Sequence, residues 1–514
     1  MSRDTATRLM QGTIVIVIIG VLAKMTAFLS EVILASYLGT SSVGDAYYMV
    51  TNIQSVVFPM LSVGIWKIYL PEYKSRVTRG ELQTAQEITN TSITFFTLTA
   101  LVVVGLLILF AGPVVSLVAP GFQSQTRKLC IELVRIAAPK YLFITAAAIY
   151  ASMLQCHGKF FGSQIREVAS HIPTILAALL LYRKIGIRAM AAALVAGSVL
   201  RLLVELPFVN WGYHFRPVFR FKNPAFSSIL RRLPSSILSE GVAQINVFVD
   251  KVMASLLPTG TISGLNYGHR LINVFSGLLS AAVATALYPQ MVELSAQKKM
   301  DALGRLVERV IRLFAVMMIP VSLSCILFRT ELVSFVFERG SFNAASAALT
   351  AGIFAFYSMG LFFSACNTVM TNLYYGCGDT RTPLVFCVLH LVMNVILNLI
   401  LIQKLGANGL ALATSLSAIL SFGIRFYASR KLISVKHRNV FLTLAKALVA
   451  SAAAVVLPRL LFNRIQMQNY LVLILSALFA VPVYLAALKL FGVSELSEVI
   501  RLFRKLLHRR KQRD

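Results

Sequence analysis

Apolar stretches of 18 or more residues recur from one end of this 514-residue chain to the other. Each is long enough to cross about 30 Å of hydrocarbon as a helix. In lipid the backbone has no water to bond with and must satisfy its own polar groups, so these runs are predicted to be helices. Spans are placed near 12–38, 44–70, 86–111, 130–155, 160–182, 187–210, 235–257, 262–292, 306–328, 343–375, 383–403, 407–429, 441–462 and 469–491. The expected fold class is an all-α polytopic membrane protein of about 14 transmembrane helices. Composition excludes a soluble multidomain protein: 57% of residues are hydrophobic, 13% are charged, and mean hydropathy is +0.75. The first run, Thr13 to Leu38, is too long for the core of a cleaved signal and carries Lys24 and Glu31.

A net charge of +29 would elsewhere point to nucleic acid. Here the basic residues lie between apolar spans, where they set topology, and no nucleic-acid partner is expected. With an even number of spans both termini share one side. Loops on that side hold about 26 Lys and Arg and the opposite loops about 8, which makes both termini cytoplasmic. The pair Arg183 and Lys184 falls on the other side, against the trend. The six cysteines lie in or beside apolar spans without a CxxC pair and read as small apolar residues, not as disulfides or a metal site.

A duplication is legible in the residues. Ala35-Ser-Tyr-Leu-Gly-Thr40 returns as Ala254-Ser-Leu-Leu-Pro-Thr259, and Tyr69-Leu-Pro71 returns as Leu287-Tyr-Pro289. Lys184-Ile-Gly186 returns as Lys404-Leu-Gly406, so all three offsets fall between 218 and 220. Six crossings return the chain to its starting side, so the halves are parallel repeats about an axis along the membrane normal, an arrangement suited to alternating access. The expected organisation is a six-helix lobe at 1–211, a basic cytoplasmic linker at 212–234, a second six-helix lobe at 235–430 and two additional helices at 431–493. A basic amphipathic tail follows at 494–514, fit to lie on anionic membrane lipids or simply to fix topology.

Charges inside hydrocarbon are costly and normally face a cavity or a partner. Lys24 and Glu31 are seven residues apart on one face of the first span. In the seventh, Glu240, Gln244 and Lys251 share a face, with Asn246 and Asp250 on a second polar strip. In the eighth, Asn266, Arg270 and Asn273 form a stripe with His269 beside it. These spans are equivalent in the two repeats, so their polar groups are expected to converge on a cavity. Internal pairing of Lys24 with Glu31, or Asp250 with Lys251, is the competing account. Lys24, Lys251 and Arg270 together suit an anionic ligand such as phosphate. Arg135, Lys140, Arg166, Glu167, Arg201 and Glu205 lie towards span ends, where snorkelling or local pairing is expected instead. No phosphate-binding loop, HExxH or GxSxG motif occurs, which points to a transporter rather than an enzyme, with no cofactor and no ATPase of its own. Transport would run downhill or draw on an ion gradient or the membrane potential.

Several segments, GTSSVGDAYY at 39–48, Tyr69 to Lys74, QINVFVDKVMASLLPTGTISGLNYGHR at 244–270, GLLSAAVATALYP at 277–289 and YYGCGDTRTP at 374–383, resemble the MurJ (MviN) lipid II flippase family of the MOP superfamily, kin of Wzx and MATE transporters. The resemblance implies a bacterial inner-membrane protein that moves a polyprenyl-diphosphate-linked glycan to the outer leaflet, its lipid tail in a groove beside the last two helices. It implies substrate-binding roles for Lys24, Glu31, Asp45, Lys251, Asn266 and Arg270. The family has arginines where this chain has Lys24, Ser30, Phe58 and Arg270, so only Arg270 is kept unchanged; Lys67 and Lys251 offer replacement charge. The resemblance further implies a Na⁺ site at Asp250, Asn394, Asn398, the Leu410 carbonyl and Thr414, with Asn398 standing where an aspartate is expected. Hydrogen bonding between the two asparagines is the alternative use of that pair. Rival functions are a Wzx-like flippase for another lipid-linked oligosaccharide, a MATE-like cation-coupled antiporter, which would want an acidic cavity, and a membrane enzyme acting on polyprenyl phosphates, which would want Asp/His clusters.

Overall fold

The computed structural model describes residues 3–209, 213–221, 223–434, 437–462, 468–493 and 495, with the backbone alone for 3–17, 56–67, 225, 235–243, 278–286 and 437. Among the described residues every regular element is a helix. The first repeat holds α1 (Arg3–Leu38), α2 (Ser42–Thr78), α3 (Leu82–Leu109), α4 (Ala111–Val118), α5 (Ser124–Ala137), α6 (Lys140–Cys156), α7 (Phe160–Leu176), α8 (Tyr182–Ile185) and α9 (Ile187–Glu205). The second holds α10 (Pro224–Ala254), α11 (Thr261–Ala296), α12 (Met300–Leu327), α13 (Arg329–Phe337), α14 (Ala344–Ser358), α15 (Leu361–Gly376) and α16 (Arg381–Ala428), and α17 (His437–Phe462) and α18 (Asn469–Leu490) follow it. The tail from 494, apart from Glu495, and the side chains of Phe58, Lys67 and Glu240 lie outside the described residues.

The duplication extends to the backbone. Left-handed turn residues recur as Gly80 and Lys298 (φ 78° and 54°), Gly158 and Gly378 (71° and 77°), and Gly186 and Gly406 (66° and 55°), at the offsets found in the sequence. The break that ends α3 at Phe110 (φ −99°, ψ 19°) recurs after α12 at Phe328 (φ −104°, ψ 27°). At 48 residues α16 is about 72 Å long if straight, more than twice the hydrocarbon thickness. Gly406 (φ 55°, ψ −127°) interrupts it and makes it the counterpart of the α7–α8 and α9 pair. Lys298 carries a Cβ where its counterpart is glycine, a strained position for an L residue. Lys298→Gly is expected to raise stability by up to about 1 kcal/mol, visible as a small rise in Tm without change in transport.

Two expected single spans are broken. The 130–155 run is α5 and α6, parted at Ala138 and Pro139, and the 343–375 run is α14 and α15, bent by 44°. Proline lacks the donor a continuous helix needs. In the second case a Cβ on Gly360 would stand 2.8 Å from Ser415 Oγ, a close approach only glycine permits. Among the described residues eight helices are long and apolar enough to cross a membrane, or nine if the bent pair is one span.

By internal contacts the chain divides into Met1–Ser263 with Arg339–Phe342, and Gly264–Glu338 with Asn343–Asp514. Helix α10 opens the second repeat in sequence but packs along α2, and so belongs to the first unit. In that unit the linker runs over α3: Tyr213 Oη and the Arg216 N–H donate to Asn90 Oδ1 (2.7 and 3.4 Å), and Arg220 pairs with Glu87 (3.1 Å). In the second unit α17 packs on α12, and α18 packs on α17 and α13. Tyr484 Oη donates to the Val316 carbonyl (2.7 Å), and Arg459 pairs with Glu331 while its guanidinium lies over Phe328 (5.4 Å). The outward faces of this helix pair are apolar, with Leu460, Leu478 and Val481 exposed, as a lipid-facing surface requires. Asp379 accepts from the N–H groups of Arg381 and Thr382 (both 3.0 Å), capping the start of α16. The Thr382 hydroxyl, together with these two N–H groups, holds its carboxyl below the usual aspartate range.

Candidate functional site

Helix α2 starts where a chain should start one. Ser41 accepts from the Gly44 N–H (3.1 Å), and Asp45 stands in the first turn, where a negative charge faces the positive end of the helix. Asp45 then does more than cap its own helix. It is buried, its Oδ2 accepts from the Gly260 N–H (2.6 Å), and its Oδ1 accepts from the Ser263 N–H (2.8 Å) and hydroxyl. One carboxylate thus satisfies orphan donors of the turn that opens α11. The buried side chain of Lys251 lies within electrostatic reach of it.

Other turns of the first unit close on the same place. The Ser341 N–H donates to the Ser36 carbonyl (2.7 Å), and a Cβ on Gly340 would stand 2.4 Å from that oxygen. The Gly121 N–H faces Ser255 Oγ at 3.5 Å, and a Cβ on Gly121 would lie 2.1 Å from the Ser255 carbonyl oxygen. Between the start of α2, the 121–126 segment and the 254–262 turn lies a cavity of about 100 Å³ lined by Ser42, Asp45, Gln123, Thr126, Ser255 and Thr259. Four turns are therefore sewn together at backbone distance, with Asp45 as the charged stitch.

Glu31 is buried and accepts from Tyr48 Oη (2.7 Å), tying α1 to α2. Lys24 lies on the exposed side of α1. In the second unit, Asn266 is half-buried on α11, and Arg270, His269 and Asn273 are exposed one to two turns on. Asn273 Nδ2 and His269 Nδ1 are 3.1 Å apart, and the His269 ring packs against Tyr357. The stripe read from the sequence is a physical row of polar groups.

Asn394 and Asn398 are fully buried in α16. Asn398 Nδ2 donates to Asn394 Oδ1 (3.0 Å), Asn394 Nδ2 faces Thr414 Oγ1 (3.5 Å), and Thr414 Oγ1 donates to the Leu410 carbonyl (3.1 Å). These four candidate cation ligands thus form a hydrogen-bonded chain with one another. Asp250, the fifth, is buried in α10 of the first unit.

The span-end charges of the first unit pair locally, as expected. Arg166 Nη1 is 3.2 Å from Glu205 Oε1, its Nε is 3.4 Å from Glu167, Arg201 also pairs with Glu167, and Lys140 donates to Gln54. Two residues that matter to the structure escaped the sequence reading. Tyr48 carries no signal beyond its aromatic neighbours. Arg425 could have been found by setting the repeats side by side, where it falls on Glu205.

Comparison with known proteins places this arrangement. The profile of the family described as "Lipid II flippase MurJ" matches residues 34–481. A probable lipid II flippase MurJ of Vibrio cholerae is 26% identical, covering 95% of this chain and 97% of that protein. One from Thermotoga maritima is 25% identical, covering 93% and 96%. Among solved structures, one described as lipid II flippase MurJ in an inward closed conformation superposes with a TM-score of 0.78 at 22% identity, over 93% of this chain and 98% of that one. An inward-facing MATE multidrug transporter of the MOP superfamily follows at 0.64 and 16%, over 79% and 94%. The solved structures speak to the fold alone, an all-helical architecture shared over most of both chains. With the family profile spanning both repeats and reaching into α18, the chain belongs to the lipid II flippase MurJ family.

Proposed function

We infer that this protein carries lipid II, a polyprenyl-diphosphate-linked peptidoglycan precursor, from the cytoplasmic to the outer leaflet of the bacterial inner membrane. The observation that carries this reading is the family match over 34–481, which takes in both repeats and most of the added helix pair. Both termini face the cytoplasm in this reading, and the repeats alternate access to the headgroup. Lys24, Lys251 and Arg270 each bring a cation suited to a diphosphate, Asn266 brings a neutral donor, and Glu31 and Asp45 hold the helices that present them. With no phosphate-binding loop in the chain, transport in this reading runs downhill or draws on an ion gradient or the membrane potential.

The test is rescue. In a bacterium depleted of its own lipid II flippase, expression of this chain is expected to restore growth and the appearance of lipid II at the outer leaflet. Ser30 and Phe58, standing where the resemblance expects arginine, favour one second reading, a flippase for a different lipid-linked oligosaccharide. A well-expressed, correctly inserted protein that fails to rescue would select that second reading.

A further inference from the structure

Arg425 is a buried cation whose charge is answered by no carboxylate among the described residues. It is 6% exposed near the end of α16. Its Nε donates to Ser421 Oγ (3.1 Å), and its Nη1 donates to the Asn367 carbonyl (3.4 Å) and to Thr371 Oγ1. Its guanidinium lies 5.5 Å from the centroid of the Phe386 ring. Every one of these partners is neutral. A charge withdrawn from water is costly unless a counter-charge meets it, and more so at membrane depth.

The first repeat shows what a self-sufficient version of this place looks like. At an offset of 220, Arg425 corresponds to Glu205, Phe386 to Arg166, Cys387 to Glu167 and Ser421 to Arg201. There the two arginines and two glutamates neutralise one another. In the second repeat none of the four charges is kept, and one cation, Arg425, stands where a glutamate stood.

A second group points the same way. Tyr374 is 3% exposed, yet its hydroxyl has no hydrogen-bond partner among the described residues. Its ring lies 5.6 Å from Phe386, the ring over which Arg425 sits. A guanidinium and a bare phenol thus flank one aromatic ring, two donors lacking an anionic acceptor. The surroundings fit a membrane–water boundary. Tyr427 is 68% exposed with the Arg430 guanidinium 4.8 Å over its ring, and Tyr375 and Arg381 are exposed at the same end of the helices.

We propose that Arg425 and Tyr374 form a binding site for a phosphate oxyanion, supplied by the headgroup of an anionic phospholipid whose chains lie along the exposed apolar face of α16. Guanidinium and phenol donors both favour phosphate oxygens, and basic pockets between helices at headgroup level are sites of this chemistry. The proposal depends on the membrane setting and not on which glycan is carried.

Thermal unfolding and native mass spectrometry of the full-length purified protein test it. Added phosphatidylglycerol is expected to raise the Tm of the wild type and to remain bound, while a neutral glycolipid without phosphate does neither. Arg425→Gln should weaken retention about ten- to hundredfold, as loss of a charge-assisted bond does. Tyr374→Phe should weaken it less, and that variant decides the matter if Arg425→Gln does not fold. Equal stabilisation by inorganic phosphate alone would support the oxyanion site and overturn its assignment to a lipid. Phosphatidylglycerol binding that is unchanged in the variants would overturn the site itself.

Discussion

Arg270→Ala is expected to abolish transport, and Arg270→Lys to leave it clearly impaired. Arg270 is exposed on α11, in the stripe with half-buried Asn266 and exposed Asn273, and it is the one arginine of the resemblance kept unchanged. If it grips a diphosphate, charge alone is not enough. A guanidinium offers two parallel donors to two phosphate oxygens, whereas an ammonium acts as a point charge. A lost charge-assisted bond of roughly 1.5–3 kcal/mol corresponds to a grip about ten- to hundredfold weaker. A purely structural arginine predicts something else: a poorly inserted alanine variant, rescued when its partner's charge is also removed. Measuring expression and transport together separates the two. A well-expressed Arg270→Ala protein with full transport would end the diphosphate-clamp assignment.

Asp45→Ala carries the second large effect, and here stability is the first readout. The substitution strands the buried N–H groups of Gly260 and Ser263, each of which now donates to a carboxylate oxygen at 2.6–2.8 Å. A buried donor left without an acceptor costs about 1–3 kcal/mol, so the pair costs roughly 2–6 kcal/mol. Part of that is recovered if water enters the small cavity beside Asp45. Asp45→Asn keeps one oxygen and should fall between. Ser263→Ala removes only the hydroxyl bond and should cost about 1 kcal/mol. A loosened turn cluster would also let a cysteine at Thr259 react with a water-soluble maleimide faster than in the parent. If Asp45 touches substrate and does nothing else, Asp45→Ala should instead lose transport with its Tm unchanged.

The two residues illustrate different degrees of legibility. Arg270 could be singled out from the chain because helical spacing puts Asn266 and Asn273 on its face, and spacing is a local property. Asp45 could be read as an acid opening a helix, but its partners at Gly260 and Ser263 lie 215 and 218 residues away. No periodicity reports a contact of that range. The asparagine pair sits between these cases: Asn394 and Asn398 are one helical turn apart and were bound to meet, while the approach of Thr414 depended on the break at Gly406.

The sequence by itself determined the class of fold, its duplication and the character of its surface. Hydrocarbon demands long apolar helices, and a repeat leaves glycines at the same turns in both halves, as Gly186 and Gly406 do. Tertiary structure alone decided that α10 packs with the first unit, that the 130–155 and 343–375 runs are broken, and that the turn opening α11 closes on Asp45. It also decided which buried charges neutralise each other and which do not. Arg166 meets Glu205 while Arg425 meets only neutral groups, although both look alike as charges near the end of an apolar run. The reason is physical: hydrophobicity and helical period act along the chain, whereas a charge is answered by whatever the fold brings beside it.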